Sequence, residues 1–72
     1  MILKDFIRMF YSLGTNIKDL LVWQGGKCVA SKSIGDTRSI KPKYLNTKVK
    51  CFTFPKRTRA LFVFLQDEEQ QQ

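Results

Sequence analysis

Leu3, Phe6, Ile7 and Phe10 follow the i, i+3, i+4, i+7 spacing of one helical face, while Lys4, Asp5, Arg8 and Ser12 fall largely on the other. This spacing predicts an amphipathic helix over residues 3–13. Gly14 is placed to end it, because glycine accepts the left-handed conformation of a helix C-cap. The apolar stripe reads as core lying on a sheet. A membrane-surface helix is the weaker alternative, since only Lys4 and Arg8 would meet lipid head groups. After residue 17 the pattern changes. Residues 17–24 read as a strand, Gly25-Gly26 as a two-residue turn with positive φ at both positions, and residues 27–34 as the returning strand. That turn sets Trp23 opposite Cys28, Val22 opposite Val29 and Leu21 opposite Ala30.

Residues 35–47 lack periodicity, and Gly35, Asp36, Thr37 and Ser39 are loop formers. Pro42 is suited to open one helical turn, through which Tyr44 and Leu45 anchor the connection to the core. Residues 48–54 and 59–66 predict a second hairpin around the loop 55–58. Pairing Phe54 with Arg59 sets Cys51 opposite Phe62 and Val49 opposite Phe64. One face is then Val49, Cys51, Ala60, Phe62 and Phe64, which reads as core. The other carries Lys48, Lys50, Phe52, Phe54, Arg59, Leu61, Val63 and Leu65, mixing charge with large apolar groups. Residues 61–65 are expected at a sheet edge, where an apolar strand invites pairing with a second copy. The fold class is α+β. An amino-terminal helix packs on an antiparallel sheet of two β-hairpins, in the order helix, strand, strand, short helix, strand, strand.

With 72 residues the chain has room for one domain, expected over residues 1–66. Residues 67–72 form an acidic, Gln-rich tail expected to be disordered. Charge sharpens this picture. The whole chain is +7, but the tail holds half of the six acids, so residues 1–66 carry 13 positive and 3 negative charges, a body of +10. Such a body suits an acidic partner surface or nucleic acid.

The missing residues exclude chemistry. No His is present, so the usual general base near neutral pH and the commonest metal ligand are absent. Cys28 and Cys51 alone are too few for a zinc site, and no phosphate-cradling glycine loop occurs. The expectation is a non-enzyme with no cofactor and no metal. The longest apolar run is residues 60–65, far short of the roughly 20 residues of a membrane span. The opening residues lack a basic region followed by an apolar stretch, so no signal peptide is expected. A cytoplasmic location follows, with Cys28 and Cys51 reduced and buried as small hydrophobes.

The opening Leu3-Lys4-Asp5-Phe6-Ile7-Arg8-Met9-Phe10, the segment 40–45, the strand 49–54 and the apolar strand 61–65 resemble small accessory proteins of phages and mobile elements of Gram-positive bacteria. The resemblance covers most of the chain through simple motifs, and the basic charge departs from that pattern. It implies an accessory or counter-defence role, inhibition of CRISPR nucleases included, and it assigns no residue.

Two functions follow. The first is a phage-type inhibitor that occupies the surface of a host protein, nucleoprotein or defence complex, anchored by Phe52, Phe54, Arg57 and Arg59. The second is a single-stranded nucleic-acid binder in which Lys48, Lys50, Lys56, Arg57 and Arg59 meet phosphates and Phe52 and Phe54 stack on bases. Sequestering a small anionic signal at an oligomer interface is a third, without a supporting motif. Alternatively, Phe52 and Phe54 face the helix or a second subunit. The last hairpin is apolar on both sides, which predicts a homodimer.

Overall fold

In the computed structural model of the protein, residues 1–12, 17–55 and 57–67 are those described. The expected Gly14 cap, the expected exposure of Lys56 and the expected disorder of the tail beyond residue 67 lie outside the described residues.

The helix forms where the apolar spacing places it. Helix α1 (Leu3–Ser12) turns Leu3, Phe6, Ile7 and Phe10 inward, all buried, and leaves Lys4, Asp5 and Arg8 exposed. Strands β1 (Asp19–Gln24) and β2 (Lys27–Ser33) make the first hairpin. Gly25 and Gly26 close it at φ +60° and +79°, both in the region that favours glycine. Trp23 faces Cys28 as expected. A bulge between Val22 and Trp23 then shifts the ladder, so that Val22 faces Ala30, not Val29, and Leu21 faces Ser31, not Ala30. The bulge sets two residues of β2 against one step of β1, which alternation alone does not reveal.

A 3-10 helix (Ile34–Ser39), absent from the sequence reading, follows β2. Asp36 breaks its regularity with φ −117° and ψ 29°, and the Ser39 hydroxyl donates to the Asp36 carbonyl at 2.9 Å. The single helical turn opened by Pro42 is present as α2 (Pro42–Leu45). Asn46 Nδ2 donates to the Pro42 carbonyl at 2.9 Å and Thr47 Oγ1 to the Lys43 carbonyl at 2.6 Å, which satisfies the turn's carbonyls. The second hairpin, β3 (Val49–Thr53) and β4 (Ala60–Leu65), also forms.

The arrangement of the two hairpins differs from the expected antiparallel sheet. The strand order is β2-β1-β4-β3, and β1 pairs with β4 in parallel, so the sheet is mixed. β4 is an interior strand, not an edge. Its composition suits that place: Ala60–Leu65 is apolar at every position, and between two strands each of its side chains has cross-strand neighbours on both sides. The hairpin register also differs. Cys51 faces Phe64 and Thr53 faces Phe62, and Val49 crosses a bulge to face Leu65. The expected partners were two residues nearer the turn, so the observed loop is longer than four residues.

The sheet has one covered face. Leu20, Val22, Leu61, Val63 and Leu65 are at most 2% exposed and pack with α1 and Ile40 as the core. Each such side chain contributes about 1.5–3 kcal/mol on burial. The core face of the second hairpin is therefore the one with Leu61, Val63 and Leu65, the reverse of the expected face. The first residues tie α1 to the sheet: Leu3 N–H donates to the Thr47 carbonyl at 2.9 Å, and Val49 N–H to the Met1 carbonyl at 2.8 Å. Among the described residues no helix is long and apolar enough to cross a membrane.

Candidate functional site

The residues expected to form one binding surface are divided among three places. Phe52 and Phe54 lie beside α1. The Phe52 ring centroid is 5.1 Å from that of Phe6 and 5.7 Å from that of Phe10, and Phe54 is 5.6 Å from Phe10. With Phe6 and Phe10 they make a four-ring cluster of tilted and edge contacts, the geometry that aromatic quadrupoles favour. The cluster is incomplete on its outer side, where Phe52 and Phe54 are 46% and 48% exposed.

Arg57 and Arg59 occupy the loop between β3 and β4, both exposed. Arg57 has φ 67°, a left-handed conformation, so the loop carries more backbone strain than a solvated charged tip suggests. Thr58 braces it, donating from Oγ1 to the Pro55 carbonyl at 2.8 Å. Behind the loop the Arg59 carbonyl accepts from Lys18 N–H at 2.7 Å, which brings Lys18 to the same end of the sheet.

Lys48 and Lys50 lie at the opposite end of the hairpin. The Lys48 carbonyl accepts from Gln66 N–H at 3.0 Å. The five residues of β3 at about 3.3 Å each separate this end from the loop by roughly 16 Å. Lys48 shares an open cleft of about 400 Å³ with Gln24, Lys43, Tyr44 and Asp67, and Lys43 Nζ sits 5.1 Å from the Tyr44 ring centroid.

Two features escaped the sequence. One is a groove of about 260 Å³ whose floor is Ile7, Thr37 and Leu45 and whose rim is Lys4, Arg8 and Arg38. Lys4 and Arg8 are four apart on the exposed side of α1, which was legible; the approach of Arg38 depends on the 3-10 helix. The other is the open face of the sheet, opposite α1. Reading across the paired strands, one row is Cys28, Trp23, Phe64 and Cys51, and the next is Ser31, Leu21, Phe62 and Thr53. The Trp23 ring lies 6.0 Å from Phe62 and 6.4 Å from Phe64, at 26° and 23° between planes. Leu21, Trp23, Phe62 and Phe64 are half-buried by one another, and none belongs to the core beneath α1. The Trp23 Nε1 hydrogen is sealed from solvent with no acceptor.

Cys28 and Cys51 are free and exposed, not buried as expected. They stand on opposite edge strands, three strand spacings or roughly 14 Å apart, too far for a disulfide within one chain. No family model, no curated protein and no solved structure matches this chain. Function is therefore argued from these surfaces alone.

Electrostatically the cations stand unneutralised. Among the described residues no Lys or Arg lies in an ion pair, and all but the half-buried Lys32 are exposed. The three cations at the groove rim have no carboxylate among the residues lining it.

Proposed function

We propose that this protein is a non-catalytic accessory protein of phage type that binds an acidic host protein or nucleoprotein surface and blocks it by occupancy. The observation that carries this reading is the set of unpaired, exposed cations on a body of +10. Unpaired surface charge contributes little to folding, but it steers an oppositely charged partner and forms charge-assisted contacts. The exposed sides of Phe52 and Phe54 supply apolar anchors, and the loop of the same hairpin carries Lys56, Arg57 and Arg59. A counter-defence role in the host cytoplasm, with a CRISPR nuclease complex as one kind of target, fits that chemistry.

The aromatic geometry favours a protein surface over base stacking. Phe52 is held by Phe6, Phe10 and Phe54 in tilted and edge contacts, so its ring is fixed in the cluster beside α1 and offers a flank of that cluster to a partner. Lys48 and Lys50, at the far end of β3, do not line up with these rings.

The test has two arms. The tagged protein is used for capture from host cells, in parallel with an R57E/R59E variant. Labelled single-stranded RNA and DNA are titrated against the protein at several salt concentrations. The expected result is a specific acidic partner lost with the variant, and only weak nucleic-acid binding that fades at physiological salt. Tight single-strand binding that depends on Phe52 and Phe54, with no protein partner, would replace this reading by the nucleic-acid one.

A further inference from the structure

We propose that the open face of the sheet is a self-association surface, occupied by the same face of a second copy of this chain. The proposal does not depend on the acidic-partner reading, because it uses the side of the sheet away from α1.

The rows across the sheet carry the argument. Cys28–Trp23–Phe64–Cys51 and Ser31–Leu21–Phe62–Thr53 contain no charged residue. On a body of +10, two copies repel one another wherever cations meet, and these rows hold none. An acidic partner gains nothing there, since no cation answers its carboxylates. Phosphates of a nucleic acid fare no better within the rows. Charge borders the rows: Asp19 lies in the row beyond Leu21, and Lys50 and Asp67 line a small pocket together with Trp23 and Phe64.

Shape agrees with a copy as occupant. The central strands β1 and β4 raise a ridge of Leu21, Trp23, Phe62 and Phe64. The edge strands flank it with lanes of small residues, Cys28 and Ser31 on one side and Cys51 and Thr53 on the other. A two-fold arrangement offset across the strands lays the ridge of each copy over a lane of the other, the self-complementarity that an isologous contact requires. Four strands about 4.8 Å apart and five residues of about 3.3 Å make a face of roughly 300 Å² in projection. Two copies would bury on the order of 600 Å² in all, below the roughly 1,200 Å² at which stable specific interfaces begin, so the dimer is weak, reversible and forms only at high concentration.

Trp23 is the chain's one tryptophan and stands on the ridge beside Phe62 and Phe64, so its fluorescence reports on this face directly. The experiment follows the intact protein from sub-micromolar to several hundred micromolar by sedimentation and by acrylamide quenching of Trp23. The expected result is a monomer–dimer equilibrium with quenching falling at least about twofold in the dimer. A second protein, S31K/T53K, places cations in both lanes at exposed positions without touching the ridge. It is expected to stay monomeric at every concentration with its circular dichroism and melting temperature retained. A native protein that stays monomeric with constant quenching overturns the proposal, as does a dimer that survives in S31K/T53K. Quenching of Trp23 by added single-stranded RNA, without dimers, overturns it in favour of base stacking.

Discussion

The two faces of this sheet are built from the same strands and differ in what lies over them. On one, Leu20, Val22, Leu61, Val63 and Leu65 meet α1 and are almost wholly removed from water. On the other, Leu21, Trp23, Phe62 and Phe64 are only half-buried, with the Trp23 ring lying over Phe62 and Phe64. The first face has branched aliphatic side chains that interlock with a helix. The second has flat rings lying nearly parallel, which leave a smooth surface. A small domain with one helical layer can close only one side of a sheet whose central strands are apolar on both. The open face is therefore a property of the architecture.

Adjacent residues of β4 give the sharpest contrast. Leu61→Ala empties a fully buried site and is expected to cost about 2–5 kcal/mol, enough to unfold much of a domain of this size. Phe62→Ala, one residue later, removes more atoms from a half-buried site. It is expected to cost the dilute monomer less than Leu61→Ala, despite the larger deletion. Urea melts of the two variants at low concentration decide the matter, and a larger loss for Phe62→Ala would show that the open face is covered after all.

The turn between β1 and β2 holds both faces in register. Gly25 and Gly26 have nothing within 4 Å of where a Cβ would stand, so replacing either by Ala tests backbone conformation alone. Each is expected to cost about 1–2 kcal/mol through left-handed strain, measured as a fall in melting temperature. An unchanged melting temperature would mean that the turn does not hold its positive φ values.

Phe52→Ser opens the outer side of the four-ring cluster next to α1. Because nearly half of Phe52 is already exposed, a loss of about 1 kcal/mol is expected. The loop charges should matter least to folding. The R57E/R59E variant is expected to melt within about 0.5 kcal/mol of the native protein while partner affinity falls. Arg57→Gly is expected to gain a few tenths of a kcal/mol by relieving φ 67°, read as a small rise in melting temperature.

Periodicity was enough to locate most elements. The spacing of Leu3, Phe6, Ile7 and Phe10 places α1, the paired glycines place the first hairpin, and Pro42 places α2. The hint about strand order was also present. Leu20-Leu21-Val22-Trp23 and Ala60–Leu65 are unbroken apolar runs, whereas β2 and β3 mix Lys, Ser and Thr with apolar residues. Continuous runs belong at the centre of a sheet and lysine-bearing strands at its edges. The 3-10 helix had no comparable signal, because its turn formers suit many loop conformations.

Local pattern thus determined most of the elements, most of the grouping along each strand and the strong positive charge of the body, while the bulge before Cys51 moved Val49 to the core side and Lys50 towards Trp23, against the expected grouping. The pattern correctly grouped Cys51 with Phe62 and Phe64, and Phe52 with Leu61 and Val63, because alternation along a strand is a local property. Which group faces the helix is not local. Both faces of β4 are apolar, so periodicity gives them equal claim to the core. The choice was made by the parallel pairing of β1 with β4, which aligns Leu20 and Val22 with Leu61 and Val63 beneath α1 and leaves Trp23 beside Phe62 and Phe64 on the open side. That pairing joins residues some forty positions apart. It wins through the burial it allows across the whole sheet, a quantity that exists only once the chain is folded.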